Sequence, residues 1–154
     1  MPIRVARAGD RDGIVALWGD LIEHHRRLDP QFPVLPTLRE VLGREIERGF
    51  RSARCRLGVA EQNGTLVGFV FAEIEVARGR PGRDSGHGWV HEIYVDPTWR
   101  GRGLAAGLLE LADAFFEARG VTSVSVRVEA ANRDARSFWA SRAFRESARI
   151  LTRG

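Results

Sequence analysis

Apolar residues recur at helical spacing in two parts of the first fifty positions. Ile3–Arg7 alternates apolar and polar residues, which is typical of a short strand, and Asp10 follows where a helix N-cap is expected. The helical stripe after it consists of Ile14, Leu17, Trp18, Leu21 and Ile22. Leu28–Pro30 ends that helix, because proline cannot continue it. Thr37 and Glu40 then form a capping-box pattern that predicts the start of a second helix.

Strand-like alternation takes over in the middle of the chain. It runs from Arg56 to Gln62 and from Thr65 to Ala77, and the Asn63-Gly64 pair between these segments is a strong hairpin signal. The two segments are therefore predicted to form an antiparallel pair. Residues 78–88 are rich in glycine and have no periodicity, which predicts a surface loop.

The second half of the chain alternates predicted strands and helices. Trp89–Val95 predicts a fourth strand that Asp96-Pro97 ends, and Gly103–Arg119 carries an apolar helical stripe with Gly120 as its C-cap residue. The remaining predicted elements are a strand over Val121–Val128, a helix over Asn132–Arg142 and a final strand over Phe144–Leu151. The sequence thus predicts one α/β domain of α+β type, residues 1–154, in the order β-α-α-β-β-β-α-β-α-β.

Composition narrows the classes of protein to consider. The chain has 154 residues, of which 44% are hydrophobic and 29% charged, and this is enough for one packed core. No stretch approaches the roughly 18 to 20 apolar residues of a membrane helix or the apolar segment of a signal peptide, so we expect a cytoplasmic protein without a membrane partner. A single cysteine, Cys55, and four scattered histidines predict neither a disulfide nor a metal site.

All 24 basic residues are arginine, because the chain contains no lysine. This excludes a Schiff-base lysine and the GxxxxGK[ST] phosphate-binding loop. The net charge of +4 is compatible with an anionic ligand. The arginines are nevertheless spread along the chain, so a nucleic-acid partner is not expected; such a partner would predict an affinity that falls steeply with salt.

The most informative segment is Val95–Ala106, which lies between the fourth predicted strand and the next helix. Gly101 and Gly103 allow a ligand to approach the backbone closely, and the free N–H groups of the first helical turn favour phosphate or pyrophosphate. The side chains of Arg100 and Arg102 could add charge-assisted contacts to the same oxygens.

A dinucleotide is the competing ligand for this turn. Residues 101–106 also match the GxGxxG/A fingerprint, and Glu129 stands about where a ribose-binding acid is expected. In that fingerprint the first glycine leaves the strand directly, whereas five residues including Pro97 separate Val95 from Gly101. The dinucleotide interpretation is therefore the weaker one.

Two motifs resemble those of the GNAT N-acetyltransferase family. The run Arg100-Gly101-Arg102-Gly103-Leu104-Ala105 is similar to the acyl-CoA-binding motif Q/R-x-x-G-x-G/A. About thirty residues further on, the signature N-x-x-A-x-x-(apolar)-Y-x-x-x-G-F is approached by Asn132, Ala135, Phe138, Trp139, Ala143 and Phe144. The resemblance covers nearly the whole chain and implies a mixed, mostly antiparallel central sheet flanked by helices. It implies acetyl transfer from acetyl-CoA to a primary amine of a small molecule or peptide, in a ternary complex and without a metal.

The resemblance also implies where acetyl-CoA binds. Residues 100–105 would hold the pyrophosphate, and backbone groups of Ile93 and Val95 would bind the pantetheine arm where strands four and five splay apart. Asn132 would either contact the pantetheine or only cap the last helix.

Trp139 and Ala143 depart from the second signature, where the family usually has tyrosine and glycine. An indole N–H is too weak an acid to protonate the departing CoA thiolate, which is the role proposed for that tyrosine. The general acid is therefore left open, with water, Ser137 or Ser141 as alternatives. A catalytically weak acyl-CoA sensor is the alternative function.

The general base is expected from His91 or Glu92 on strand four, with His91 preferred. Histidine has an intrinsic pKa near 6.5, whereas Glu92 would need desolvation to raise its pKa. Because successive residues of a strand face opposite sides, the two should not both point into one cleft.

The acceptor end is expected where the first two helices meet, at Glu23, His24 and His25. An acidic group there would suit a cationic amine, and a solvated helix end is the alternative interpretation. The sequence identifies neither the amine nor the oligomeric state, and a homodimer stays open.

Overall fold

A computed structural model gives the positions of residues 2–76 and 86–154, and these residues form five strands and four helices. The elements in chain order are β1 Ile3–Val5, α1 Arg11–Leu28, α2 Leu38–Arg51, β2 Cys55–Gln62, β3 Thr65–Glu75, β4 His87–Val95, α3 Leu104–Glu117, β5 Val124–Val126 and α4 Arg133–Ser141. Most of the loop predicted over residues 78–88 lies outside the described residues, and its last two residues belong to β4.

The five strands form one mixed sheet in the order β1-β2-β3-β4-β5. Neighbouring strands are antiparallel except for β4 and β5, which are parallel. Asn63 and Gly64 make the turn between β2 and β3 with φ of 51° and 79°, as a tight hairpin with two left-handed residues requires. The predicted hairpin and the mixed, mostly antiparallel sheet are confirmed.

The sheet separates two hydrophobic cores. Phe69 and Phe71 of β3 face α1 and α2, whereas Val70 and Ala72 between them face α3 and α4. All four are fully buried, which reflects the alternation of side chains along a strand that is covered on both faces.

α1 and α2 begin directly after Asp10 and Thr37, as predicted, but without the predicted capping hydrogen bonds. Asp10 belongs to a short 3-10 turn, Ala8–Asp10, and its carboxylate accepts from Arg4 Nη1 at 2.8 Å and from the Arg7 amide at 2.7 Å instead of capping α1. Thr37 precedes α2 without a capping hydrogen bond. Neither residue has the extended backbone of an N-cap, because their ψ angles are −8° and 26°.

The final strand predicted over Phe144–Leu151 is wrong. Residues 145–154 form no regular element, and the side chains of Ile150 and Leu151 are 66% and 92% exposed. A segment with alternating apolar and polar residues forms a strand only if an edge strand of the sheet is available to pair with it. The neighbouring β5 spans three residues where eight were predicted, so it offers little edge.

Two absences apply to the described ranges alone. No helix within them is both long and apolar enough to cross a membrane. Nor do residues 2–76 and 86–154 gather three metal-ligating side chains at one point.

Candidate active site

The turn between β4 and α3 is shaped by local hydrogen bonds and two glycines. Asp96 Oδ1 accepts from the amide and the hydroxyl of Thr98 at 2.9 and 2.7 Å, and this caps the 3-10 turn Pro97–Trp99. Gly101 and Gly103 follow with φ of 75° and 79°, which favours glycine. A Cβ on either glycine would meet nothing within 4 Å. The space in front of the turn is therefore open.

The first turn of α3 directs its amides into this open space. The Gly107 amide donates to Gly103 at 3.0 Å, and helix geometry leaves the amides of Leu104 and Ala105 without an intrahelical acceptor. The Leu104 side chain is buried in the core and fixes the direction of the helix. Together with the helix dipole, these amides form a site suited to an anion. The structure thus brings residues 101–105 together as predicted for a pyrophosphate site.

The two arginines of the turn make contacts with its own neighbours. Arg100 Nε donates to the Val95 carbonyl at 3.0 Å, and its guanidinium carbon lies 5.6 Å from the centroid of the Tyr94 ring. The guanidinium carbon of Arg102 lies 4.6 Å from the Trp99 ring centroid. The Arg100 side chain therefore contacts the end of β4. The backbone amides of the first turn of α3 have no intrahelical acceptor, so they are the better candidates to bind phosphate.

β4 and β5 separate beyond Val90, which pairs with Val126 at the end of the parallel ladder. Asp96 donates its amide to a β3 carbonyl at 2.8 Å. Because backbone groups alternate in direction along an antiparallel strand, the N–H and C=O of Val95 point away from β3, and those of Ile93 do the same. The backbone groups predicted to bind pantetheine thus face the gap between β4 and β5.

A β-bulge in β4 changes the direction of His91. Phe71 of β3 is opposite Glu92 and the next β3 residue is opposite Val90, so His91 is the extra residue. The His91 ring meets the Phe71 ring edge-on, with 5.4 Å between centroids, and the Glu92 carboxyl lies beside the indole of Trp18. Both side chains therefore face α1 and α2. The expectation that they face opposite sides is wrong, because alternation holds only in a regular strand.

Glu92 has the environment of a general base. Burial raises the pKa of its carboxyl to about 7, and the nearby Glu129 adds to the rise, while Trp18 and Arg127 oppose it. A carboxyl that titrates near neutral pH can accept a proton from an amine and release it again. The desolvation that a raised pKa of Glu92 requires is therefore present in the structure.

His91 is held by a second carboxylate. Its Nε2 lies 2.7 Å from Glu73 Oε1, and its side chain is 38% exposed. Arg48 binds the same carboxylate at 2.6 Å, and this ion pair lowers the pKa of Glu73 to about 2. One ring nitrogen of His91 is therefore engaged with an ionised group.

His24 and His25 lie on the last turns of α1, near the chemistry. Burial lowers the pKa of His24, and Arg100 lowers it further. Burial also lowers the pKa of His25, whereas Glu129 opposes that shift. The charges of Arg100, in the turn after β4, and Glu129, after β5, thus act on the two histidines.

Glu23 does not join this cluster. Its carboxylate is 3.7 Å from Arg26 Nε on the same helix and its side chain is 45% exposed. His25, by contrast, has a buried Nδ1 without a hydrogen-bond partner in the described part of the chain, and its ring lies 5.1 Å from that of Phe32. The structure joins two of the three predicted acceptor residues to the site.

Asn132 caps α4. Its Oδ1 accepts from the Ala135 amide at 3.1 Å, and the residue is 8% exposed. This is one of the two roles that the sequence left open. Because Oδ1 is occupied, a contact with pantetheine would use the side-chain NH₂ group.

Trp139 is a core residue. It is 5% exposed, and its ring lies 5.1 Å from Phe138 and 4.9 Å from Phe144. The Ser141 hydroxyl donates to the Phe138 carbonyl at 2.6 Å, so its proton is already engaged. Ala143 has a φ of 65°, a conformation that favours glycine and accounts for the usual residue of the motif.

Sequence reasoning missed three side chains of this region. Tyr94 could have been found, because it lies two residues after Glu92 and shares its face. Glu129 was considered only as a ribose ligand. Glu73 lies 18 positions before His91, and no pattern in the sequence indicates the register that joins them.

Comparison with known proteins identifies the family. The model of the acetyltransferase (GNAT) family matches residues 19–144. An uncharacterized N-acetyltransferase of Methanocaldococcus jannaschii is 34% identical over 88 residues, 57% of this chain and 38% of that protein. A mycothiol acetyltransferase of Thermobispora bispora is 35% identical over 96 residues, 62% of this chain and 31% of that protein. The chain thus spans less than two fifths of the length of these relatives.

Solved structures share the whole fold at low sequence identity. A mutant of a Bacillus halodurans protein superposes with a TM-score of 0.85 at 18% identity and covers 100% of this chain and 99% of its own. An aminoglycoside N-acetyltransferase in complex with CoA has a TM-score of 0.74 at 17% identity, with 99% and 97% of the two chains covered. The family model, together with the site described above, shows that this chain belongs to the GNAT acetyltransferase family.

Proposed function

We propose that the chain transfers an acetyl group from acetyl-CoA directly to a primary amine in a ternary complex. The observation that carries this proposal is the partly buried Glu92, which lies on the strand that ends in the open amide turn and whose carboxyl has a pKa raised to about 7. Family membership supports it, and so does the aminoglycoside N-acetyltransferase of similar fold that was solved with CoA.

Acetyl-CoA would bind along β4. The amides of residues 101–105 take the pyrophosphate, and the backbone groups of Ile93 and Val95 take the pantetheine amides. A pantetheine arm that runs from the turn toward Ile93 brings the thioester toward Glu92, the preceding residue on the strand. Asn132, at the start of α4, is proposed to line the same acetyl-CoA site.

The transfer requires a neutral amine next to the thioester carbonyl. Glu92 accepts the proton of the bound ammonium group, and the amine nitrogen then bonds to the carbonyl carbon. The carbon–sulfur bond breaks and CoA leaves as a thiolate, and the second proton lost by the amine nitrogen passes through water to that thiolate. A thiol pKa near 8.5 makes this a tolerable leaving group without a side-chain acid.

The acceptor is proposed to be a cationic amine of a small molecule or peptide. The charge of Glu129 adds to the rise in the pKa of Glu92, and a bound ammonium group would offset that repulsion. His24 and His25 have lowered pKa values, so they are neutral at pH 7 and add no positive charge that would repel the amine.

An acyl-CoA-binding sensor is the second candidate. The observation in its favour is the burial of Trp139 in the core, which leaves α4 without an acidic side chain at the place of the family tyrosine. A sensor would bind acetyl-CoA through the same turn but transfer no acetyl group.

The proposed base is tested by kinetics on an amine found by screening polyamines, amino acids, aminoglycosides and peptides. We expect kcat/KM to rise with pH through an apparent pKa near 7, since only the ionised Glu92 accepts a proton. Glu92→Gln should lower kcat by about 10²- to 10⁴-fold with little change in the KM for acetyl-CoA. Glu110→Gln removes an exposed carboxylate on α3 and serves as the matched control.

The outcomes separate the candidates. If His91→Ala removes the acidic limb of the profile while Glu92→Gln keeps it, the base is His91. Binding of acetyl-CoA without transfer to any amine supports the sensor. Absence of acetyl-CoA binding contradicts both functions.

A further inference from the structure

A polar network next to the bulge connects α2, β2, β3 and β4 through the carboxylate of Glu73. Its Oε1 lies 2.7 Å from His91 Nε2 and 3.1 Å from Arg48 Nη2. Its Oε2 lies 2.6 Å from Arg48 Nη1 and 3.4 Å from Cys55 Sγ. The Glu73 side chain is 22% exposed, whereas those of His91 and Arg48 are 38% and 42% exposed, so the network lies at the protein surface with Glu73 more protected than these two partners.

Every partner of this carboxylate is a hydrogen-bond donor. Arginine can only donate. Burial raises the pKa of the Cys55 thiol, so it keeps its proton and donates as well. Glu73 is ionised throughout the neutral range, because Arg48 lowers its pKa to about 2, and it can therefore only accept. It follows that His91 meets Glu73 with a protonated Nε2.

This arrangement decides which atom of His91 is free. In a neutral imidazole one ring nitrogen donates and the other accepts, so a protonated Nε2 leaves Nδ1 as the acceptor. The ring is fixed between Glu73 and the edge of Phe71. The bulge places it on the face of the sheet that also carries Glu92.

We propose that Glu73 is a positioning residue of the acceptor site: it orients the imidazole of His91 so that Nδ1 accepts a hydrogen bond from the acceptor amine beside Glu92. This inference rests on the proposed function and deepens it. Glu92 takes the proton of the ammonium group, and His91 holds a second N–H, which restrains the nitrogen during attack. Arg48 keeps the Glu73 carboxylate in place.

The first test reads the imidazole directly and needs no substrate. Long-range ¹H–¹⁵N spectra of the labelled protein at pH 8.5, with His91 assigned by its loss in His91→Asn, report which ring nitrogen is protonated. We expect a single Nε2–H form in the unmodified protein and a mixture of both tautomers in Glu73→Ala. Glu75→Gln is the matched control, because Glu75 is on the same strand and accepts from Trp89 Nε1 at 2.7 Å. A protonated Nδ1 in the unmodified protein overturns the proposal.

The second test uses the screened amine with the highest kcat/KM. Glu73→Ala and His91→Ala should each raise the KM for that amine by about tenfold, the loss of roughly one hydrogen bond. The KM for acetyl-CoA and the acidic limb set by Glu92 should stay unchanged. The double variant should raise the KM for the amine by no more than either single variant does, because Glu73 acts through His91.

If the increases in the KM for the amine multiply in the double variant, or if Glu73→Ala leaves that KM unchanged, the positioning role is overturned. If Glu73→Ala does not fold, Glu73→Gln keeps the shape and removes the charge, and the same comparison is made with it. A protein that transfers no acetyl group contradicts the proposed function, whereas the ring nitrogens of His91 still decide whether Glu73 orients it.

Discussion

Glu92 is an ionisable residue whose burial opposes its own charge. Its pKa is raised from 4.5 to about 7 in the folded protein, first by burial and then by Glu129. Because the folded pKa lies above the unfolded one, the folded state binds the proton more tightly. The ionised carboxylate therefore destabilises the fold above pH 7, and stability increases as pH falls from 7 toward 4.5.

Replacement of this carboxyl should stabilise the protein while it removes activity. At pH 8 we expect Glu92→Gln to raise the free energy of unfolding by up to about 3 kcal/mol, because the neutral amide avoids the buried charge. The gain should be small near pH 4.5, where the folded carboxyl is almost fully protonated and the unfolded one is half protonated, and it should vanish at lower pH. Urea denaturation at pH 5 and pH 8 measures it, with Glu110→Gln as the control. A Glu92→Gln protein that is less stable at pH 8 contradicts the burial argument.

At the residue scale the sequence supplies candidate residues for the chemistry but not their environment. His91 and Glu92 stand out because they are ionisable residues on the strand that leads into the predicted phosphate-binding turn. Their ranking depends on burial and on Glu73, which approaches from another strand. These are tertiary properties, and periodicity along the chain carries no information about them.

Gly68 of β3 lies in close contact with both β4 and α3. A Cβ on Gly68 would lie 2.9 Å from the Tyr94 carbonyl oxygen, 3.2 Å from Leu108 Cδ1 and 3.3 Å from Val95 Cγ2. The carbonyl belongs to the backbone and cannot swing aside. Only a residue without a side chain allows β4 to end, and α3 to begin, where the proposed donor site requires them.

Gly68→Ala should therefore weaken both the fold and acetyl-CoA binding. We expect a loss of about 1 to 3 kcal/mol in the free energy of unfolding, since a packed backbone has to move. Gly19→Ala is the matched change inside α1, where the added Cβ meets nothing within 4 Å, and it should stabilise by about 0.5 to 1 kcal/mol. Thermal unfolding and calorimetric titration with acetyl-CoA measure both. A Gly68→Ala protein as stable as the original would show that the strands adjust freely.

At the element scale, sequence patterns within a segment predicted turns and helices correctly. They failed for features that depend on how one strand pairs with another. The Asn63-Gly64 turn, α3 and α4 follow from residues within the elements themselves. The strand predicted over Phe144–Leu151 had a suitable alternation but no edge to join. The bulge at His91 depends on the register between β3 and β4, and neither strand encodes that register alone.

At the scale of the whole molecule, the two substrates of the proposed function approach from opposite faces of one sheet. The amide turn leads into α3 on one face, whereas Glu92 and His91 face α1 and α2 on the other. The parallel ladder between β4 and β5 ends at Val90, and the sheet is open beyond that point. The gap is therefore where the thioester is proposed to meet the amine. Because acetyl-CoA would bind only the folded protein, its binding should stabilise the fold.

Acetyl-CoA should raise the melting temperature of the protein, and Gly103→Glu should abolish that effect. At about 100 times its Kd, a ligand that binds only the folded state adds roughly 2.7 kcal/mol, which is about 5 to 10 °C for a domain of this size. The glutamate side chain would fill the open space before the turn and repel the pyrophosphate. Thermal unfolding with and without saturating acetyl-CoA measures the shift.

Gly120→Glu is the matched control for that experiment. Gly120 has a φ of 70° against 79° for Gly103, and a Cβ on either would meet nothing within 4 Å, so both variants add the same charge and a similar backbone strain. They lie at opposite ends of α3. We expect both to melt lower than the original protein by a similar amount, about 1 kcal/mol of strain, while only Gly120→Glu keeps the full response to acetyl-CoA. Equal responses in the two variants would mean that the pyrophosphate binds away from the first turn of α3.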